Sequence, residues 1–142
     1  LLVIGAQKKH IQGVKYELIP WNAETEVTDL QKIDIGLYPL PNEKWVFGKS
    51  GLKAIQFMAL GIPVIATAIG ANSRVIDHGV NGFLAKNKYE WKNFIKILSN
   101  NHSKRIEMGK KAREKIIKQF SVHANQNKYL KVFDYSFRDI IN

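Results

Sequence analysis

Between Ser50 and Ala66 the chain passes from a helical pattern to a strand pattern across a three-residue break, Gly61-Ile62-Pro63. Ser50 is a good helix N-cap, because a serine hydroxyl accepts a hydrogen bond from an unpaired N–H of the first turn. Leu52, Ile55 and Ala59 fall on one helical face, and Gly61 stands where a helix usually stops. Gly48 and Gly51 leave the backbone bare where a ligand could approach. The charge there runs against helix physics. Lys49 and Lys53 flank the helix start, where the dipole is already positive and a cation costs about 0.3–1 kcal/mol. Positive charge at a glycine-lined helix N-terminus suits an anion, most simply a phosphate. The plainer alternative is two solvated lysines in a lysine-rich chain.

The same alternation runs through the first 85 residues. Leu1–Gly5 reads as a buried strand, and Val14–Ile19 as a β-rich one that stops at Pro20. Trp21 follows at that strand's C-terminal end, where open α/β sheets gather their ligands. It can stack on a base or cover the sheet edge. Glu24 to Ile33 is a helix candidate with acid early and Lys32 late, as the dipole prefers. Asp34–Tyr38 is a third strand, ended by Pro39-Leu40-Pro41; Pro63–Ala66 is a fourth and Phe83–Ala85 a fifth. Arg74 to Ile76 suits a helical turn, and His78 to Gly82 a glycine- and asparagine-rich turn. Strands alternating with helices at these lengths predict an α/β fold built on a doubly wound parallel sheet.

From residue 88 the pattern is purely helical. Trp91, Phe94, Ile95 and Leu98 mark one apolar face, and Ile106, Gly109, Ala112, Ile116 and Phe120 a second. Ser121 caps a third helix with Leu130, Phe133, Phe137 and Ile140 or Ile141 inward. These aromatics read as packing. No repeat or low-complexity linker divides residues 1–142, which therefore read as a single domain. The opening apolar run has neither initiator methionine nor cap, and we read the chain as a fragment of a longer one.

Composition excludes several classes. No apolar run approaches the roughly 20 residues that span a bilayer. There is no cysteine and the four histidines are scattered, so neither a disulfide nor a metal cluster is expected. The Gly-Ala-Gln after the first strand lacks two of the three fingerprint glycines of a dinucleotide site, which disfavours an oxidoreductase. The net charge of +10 is uneven: residues 1–85 hold 8 Lys and Arg against 7 Asp and Glu, residues 86–142 hold 14 against 5. Solvated helix faces account for this best, anionic lipid next. Without an arginine-rich run or stacking platform, nucleic acid is not an expected partner.

Several pieces, in order, carry a family resemblance: Asp34 to Pro39; Gly48-Lys49-Ser50-Gly51 through Gln56 to Val64; Gly70-Ala71-Asn72; His78 to Leu84; Arg105, Met108-Gly109 and Ala112-Arg113; and Phe120-Ser121. The chain resembles the C-terminal, donor-binding domain of GT-B glycosyltransferases, in particular the group 1 (family 4) retaining enzymes. The resemblance implies a Rossmann-like half of a GT-B fold followed by C-terminal helices, with its first strand and the N-terminal acceptor domain lying outside this sequence. It implies transfer of a sugar from a nucleoside-diphosphate sugar to an acceptor alcohol such as a cell-surface glycan or lipid-linked acceptor. No metal or separate cofactor is implied, and the expected location is cytoplasmic, with peripheral contact at the inner membrane face.

By the same resemblance, the backbone around Gly51, Leu52 and Lys53, with Lys49 and Ser50, receives the donor phosphates. The position of Gln56 ordinarily holds a glutamate on the ribose hydroxyls, and that of Gly48 a second glutamate near the donor sugar. Both acids are absent here. Gln56 can still bind a diol, without the charge assistance of a carboxylate. The lysines can offset diphosphate charge, and Lys8 and Lys9 are loose candidates for a further cationic clamp. No catalytic residue is assigned. The chain alone is expected to bind donor weakly and to transfer nothing. A non-catalytic GT-B-like binding or regulatory module is the alternative that the two lost acids raise.

Overall fold

The computed structural model describes residues 1–6 and 12–141, and side chains as far as residue 133. Five short strands form two parallel sheets. β1 (Leu2–Ile4) pairs with β2 (Glu17–Ile19), and β3 (Gly36–Tyr38), β4 (Val64–Thr67) and β5 (Gly82–Ala85) pair in that order. Between them run α1 (Glu26–Leu30), α2 (Leu52–Ala59) and α3 (Asn72–Val75); α4 (Lys88–Ser99), α5 (His102–Gln119) and α6 (Val122–Ile141) follow.

β4 is the centre of the molecule. Successive side chains of a strand point to opposite faces, and Val64, Ile65 and Ala66 are all fully buried. Val64 and Ala66 pack with Ala54 and Met58 of α2 and with Ala112 and Ile116 of α5. Ile65 packs on the other face with Phe83, Phe94 and Leu98. A strand covered on both faces reads as an unbroken apolar run, as Pro63 to Ala66 does. Parallel strands with helices on both faces constitute the doubly wound α/β class expected from the sequence.

Two glycines permit close layers. A Cβ on Gly36 would stand 2.7 Å from the ring of Phe57, so β3 lies directly under α2. A Cβ on Gly109 would overlap the carbonyl oxygen of Gly61, where α5 crosses the break between α2 and β4. Caps fix the late helices. The Asn87 side chain accepts from the Glu90 N–H at 3.0 Å while Glu90 accepts from the Lys86 N–H at 2.8 Å. Asn101 caps α5 through the Lys104 N–H at 2.8 Å, and Ser121 caps α6 through that of Ala124 at 3.1 Å.

The structure corrects four details. The N-cap of α2 is Gly51, at φ 78°, and α2 has no side-chain cap, so Ser50 does not fill the role its hydroxyl suggests. A Cβ on Gly51 would approach Val75 Cγ2 at 3.3 Å, and its left-handed backbone turns the chain into the helix one residue later. Second, the buried face of α2 is Ala54 and Met58, with Leu52 exposed and Ile55 and Ala59 half-buried. Third, Ile106 is exposed and Met108 takes its place in the core, because α5 also packs against α4 and β5. Fourth, Leu130 and Phe133 are exposed, and α6 packs chiefly on α5. The expected inward face at Phe137, Ile140 and Ile141 lies outside the described side chains, as Lys8 and Lys9 lie outside the described residues.

Candidate functional site

The C-terminal ends of β3 and β4 and the start of α2 converge on one corner. After β3, the Pro39-Leu40-Pro41 loop is stitched to β4 through Thr67: its Oγ1 accepts from the Leu40 N–H at 2.8 Å and donates to the Leu40 carbonyl at 3.1 Å. After β4, buried Asn72 donates from Nδ2 to the Thr67 carbonyl at 3.0 Å, which holds the Gly70-Ala71-Asn72 loop against Gly51. The chain enters α2 through a 3₁₀ turn, Lys44–Gly48, anchored by buried Val46. The glycine-rich turn expected there is thus partly helical.

Gly51 presents the first N–H groups of α2 with no side-chain cap and no acidic residue in the first turn. A helix leaves its first N–H groups without intrahelical partners. Lys49 and Ser50 stand exposed just before this terminus and Leu52 and Lys53 exposed within it. Lys49 Nζ lies 5.0 Å from the centre of the Trp45 ring, a cation–π contact that holds the ammonium near the turn. The arrangement suits an anion chemically: backbone donors without a side-chain cap, a favourable dipole and two exposed lysines.

A carboxylate not singled out from the sequence intrudes on it. Glu26, in the first turn of α1, lies 3.6 Å from Lys53 Nζ and accepts from Gln56 Nε2 at 3.3 Å. The other Gln56 amide atom, Oε1, is buried and has no hydrogen-bond partner among the described residues. Glu26 was legible only as an acid early in a helix; no local pattern joins it to Gln56, 30 residues away. The structure thus brings Lys53, Gln56 and Glu26 together, with Lys49 engaged separately on Trp45. Trp21 is exposed, follows β2, and lines a cavity of about 630 Å³ with Glu26, Lys53 and Pro39.

Elsewhere much of the basic charge has structural work. Arg105 donates to the Leu98 carbonyl at 2.7 Å and Arg113 to that of Ala59, neutralising helix C-termini. Lys115 pairs with Asp77 at 2.8 Å, and Asp77 in turn accepts from Asn81 Nδ2 at 2.8 Å in the turn before β5. Asp29 is held below its usual carboxylate range by hydrogen bonds from Lys32 and Thr25, and burial raises the Tyr38 hydroxyl. Among the described residues no group of three or more His, Cys, Asp or Glu could hold a metal ion, and no helix is long and apolar enough to cross a membrane.

Open parallel α/β sheets gather their ligands at the C-terminal ends of the strands, and the start of α2 stands at such a place here. Residues 7–115 match the model of the family described as glycosyl transferases group 1, and the chain belongs to that family. Two curated proteins are similar to part of the sequence. The D-inositol 3-phosphate glycosyltransferase of Pseudarthrobacter chlorophenolicus is 36% identical over 64 residues, covering 44% of this chain and 15% of the relative. The GDP-Man:Man(3)GlcNAc(2)-PP-Dol alpha-1,2-mannosyltransferase of Dictyostelium discoideum is 30% identical over 103 residues, covering 72% and 19%. Among solved structures, sucrose-phosphate synthase of Thermosynechococcus elongatus superposes with a TM-score of 0.71 at 19% identity, over 89% of this chain and 31% of that one. A TarM variant of S. aureus, solved in complex with UDP among other ligands, superposes at 0.66 with 26% identity, over 83% and 23%. The chain therefore spans less than a fifth of the length of these two curated relatives.

Proposed function

We propose that this chain is the donor-binding part of a sugar transferase that takes a nucleoside-diphosphate sugar and passes the sugar to an acceptor alcohol. The observation that carries the reading is the uncapped start of α2 at Gly51, flanked by Lys49 and Lys53 at the strand ends. The donor diphosphate lies against the N–H groups at Leu52 and Lys53, with Ser50 beside it and both lysines neutralising its charge. Gln56 offers its side-chain amide to the ribose in place of Glu26, and Trp21 offers its ring to the base. Departure of the diphosphate is assisted by charge already in place, so that the step needs no metal: cations and oriented N–H groups stabilise the leaving group as negative charge builds on it. Retention of configuration, a glycan or lipid-linked acceptor, and a cytoplasmic site of action, bacterial and peripheral at the inner membrane face, belong to the same reading. So does an acceptor domain elsewhere in the full-length protein. The names of the relatives support a nucleotide-sugar donor: one specifies GDP-mannose, and the TarM variant was solved with UDP.

A second reading, a binding or regulatory module without catalysis, draws on one observation. Glu26 occupies both Lys53 and Gln56, the residues a donor would use. Calorimetric titration with UDP and GDP separates chemistry from decoration. Saturable binding weakened about tenfold or more by Lys49→Ala and by Gln56→Ala supports the donor site. Absence of binding by either nucleotide at millimolar concentration overturns it. If binding holds, retained glycosyl transfer by the full-length protein decides against the non-catalytic module.

A further inference from the structure

The segment Gly70-Ala71-Asn72 leads from β4 into α3, and its contacts fix it beside the start of α2. A Cβ on Gly70 would stand 3.5 Å from the Phe47 Cα and from the Val46 carbonyl oxygen, so the segment lies directly on the 3₁₀ turn. On its other side, Val75 Cγ2 and Ala71 Cβ come within 3.3 and 3.5 Å of the place where Gly51 would carry a Cβ. Asn72 itself is 1% exposed, and its Nδ2 donates to the Thr67 carbonyl at 3.0 Å.

That bond orients the amide. A carbonyl oxygen can only accept, so the NH2 group must be the one at Thr67, and Oδ1 takes the remaining direction. Oδ1 lies 3.6 Å from the Cβ position of Gly51, and it has no hydrogen-bond partner among the described residues. A polar atom on so buried a side chain is normally paired with protein, water or ligand. The first turn of α2 beside it supplies N–H donors and no acidic residue. α3 thus brings a neutral acceptor to a place otherwise made of donors. A carboxylate at position 72 would fit worse on both sides, since it would oppose the Thr67 carbonyl and repel a phosphate. Diphosphate oxygens are themselves acceptors and gain nothing from Oδ1. The group complementary to it is a hydroxyl.

We propose that Asn72 helps to select the donor: its Oδ1 accepts a hydrogen bond from a hydroxyl of the donor's sugar, immediately beyond the diphosphate. The inference rests on the donor-site reading and adds the sugar contact to it. The order of groups along α2 agrees. Gln56, which that reading gives to the ribose, follows Gly51 by about 7.5 Å of helix at 1.5 Å per residue. With the ribose at Gln56 and the diphosphate at Leu52 and Lys53, the sugar end of the donor comes to Gly51, beside Oδ1. The Thr67 bond and the close seat of Gly70 set this acceptor in place before the ligand arrives, so little side-chain freedom remains to be lost on binding.

Calorimetric titration tests it, with UDP against UDP-glucose and GDP against GDP-mannose, on the parent and on Asn72→Ala. For the pair that the parent binds, the variant should lose about fivefold more affinity for the sugar nucleotide than for the nucleoside diphosphate, the net worth of one hydrogen bond. A segment merely loosened by the substitution would weaken both ligands equally. That result, like no change in either, overturns the proposal while leaving the donor site standing. If neither nucleotide binds the parent, the donor-site reading falls and this inference with it. A second measurement needs no variant. The Asn72 side-chain NH2 resonances should shift on addition of the sugar nucleotide beyond their shift with the nucleoside diphosphate. Identical shifts with the two ligands overturn the proposal even where Asn72→Ala fails to fold.

Discussion

At the scale of single residues, glycines and one carboxylate carry the sharpest expectations. Gly51 enters α2 at φ 78° with Val75 Cγ2 at 3.3 Å from where a Cβ would stand. Gly51→Ala should therefore cost about 1–2 kcal/mol from the left-handed backbone, measurable by urea denaturation. It should also weaken nucleotide binding, since the same backbone presents the helix N–H groups. Gly109→Ala forces α5 off the Gly61 carbonyl and should cost about 1–3 kcal/mol by overpacking, with nucleotide affinity less affected. Asp29 supplies a pH dependence. Its carboxylate is lowered by Lys32 and Thr25, so its contribution is complete above the unfolded carboxylate's range and is lost as pH falls through the folded value. Asp29→Asn should flatten the acid side of a stability–pH curve below about pH 4 and leave its neutral side parallel to that of the parent. An unchanged acid limb would contradict the assignment. The residues chosen from the sequence for phosphate contact do surround one helix start. What the sequence could not display was Glu26, because a contact across 30 residues has no local signature.

At the scale of elements, periodicity and punctuation were read well where a segment is buried on one clear side. The strand after Pro63, the turn before β5, and the capped starts of α4 and α6 stand where residue type places them. Their causes are visible: apolar continuity, asparagine and glycine in the turn, side-chain oxygens on free N–H groups. Asn87→Ala should cost about 1 kcal/mol, since it removes the acceptor for the Glu90 N–H, and thermal melting would register it. The errors share a cause as well. The helical faces expected at Leu52, Ile106 and Leu130 rest on spacing alone, and spacing gives a stripe without saying what covers it. α2 turns Ala54 and Met58 inward, where they pack with Val64 and Ala66 of β4; α6 meets chiefly α5, and Leu130 and Phe133 are exposed. The cap of α2 was misplaced by one residue because backbone conformation at Gly51 outweighs the propensity of Ser50.

At the scale of the molecule, the architecture separates into a rigid centre and a receptive edge. β4, covered on both faces and flanked by α2 and α5, fixes the start of α2 against the strand ends. Around it the surface is basic, yet Arg105, Arg113 and Lys115 are tied to carbonyls and to Asp77, so the overall charge overstates what is free to meet an anion. Among the described residues Lys49 lies over the Trp45 ring and Lys53 beside the Glu26 carboxylate, on either side of the helix start in sequence. On the proposed reading an arriving diphosphate would compete with Glu26 for Lys53, and that exchange of partners should accompany binding. Glu26→Gln should therefore tighten diphosphate binding by releasing Lys53, and an affinity lower than the parent's would count against this competition. The central claim is that the N–H groups after Gly51 receive the diphosphate. The measurement that tests it most directly is amide chemical-shift mapping on addition of UDP or GDP. Saturable shifts should be greatest at Gly51, Leu52 and Lys53 and be abolished or strongly reduced by Lys49→Ala. Shifts confined to other parts of the chain, or none at millimolar nucleotide, would contradict it.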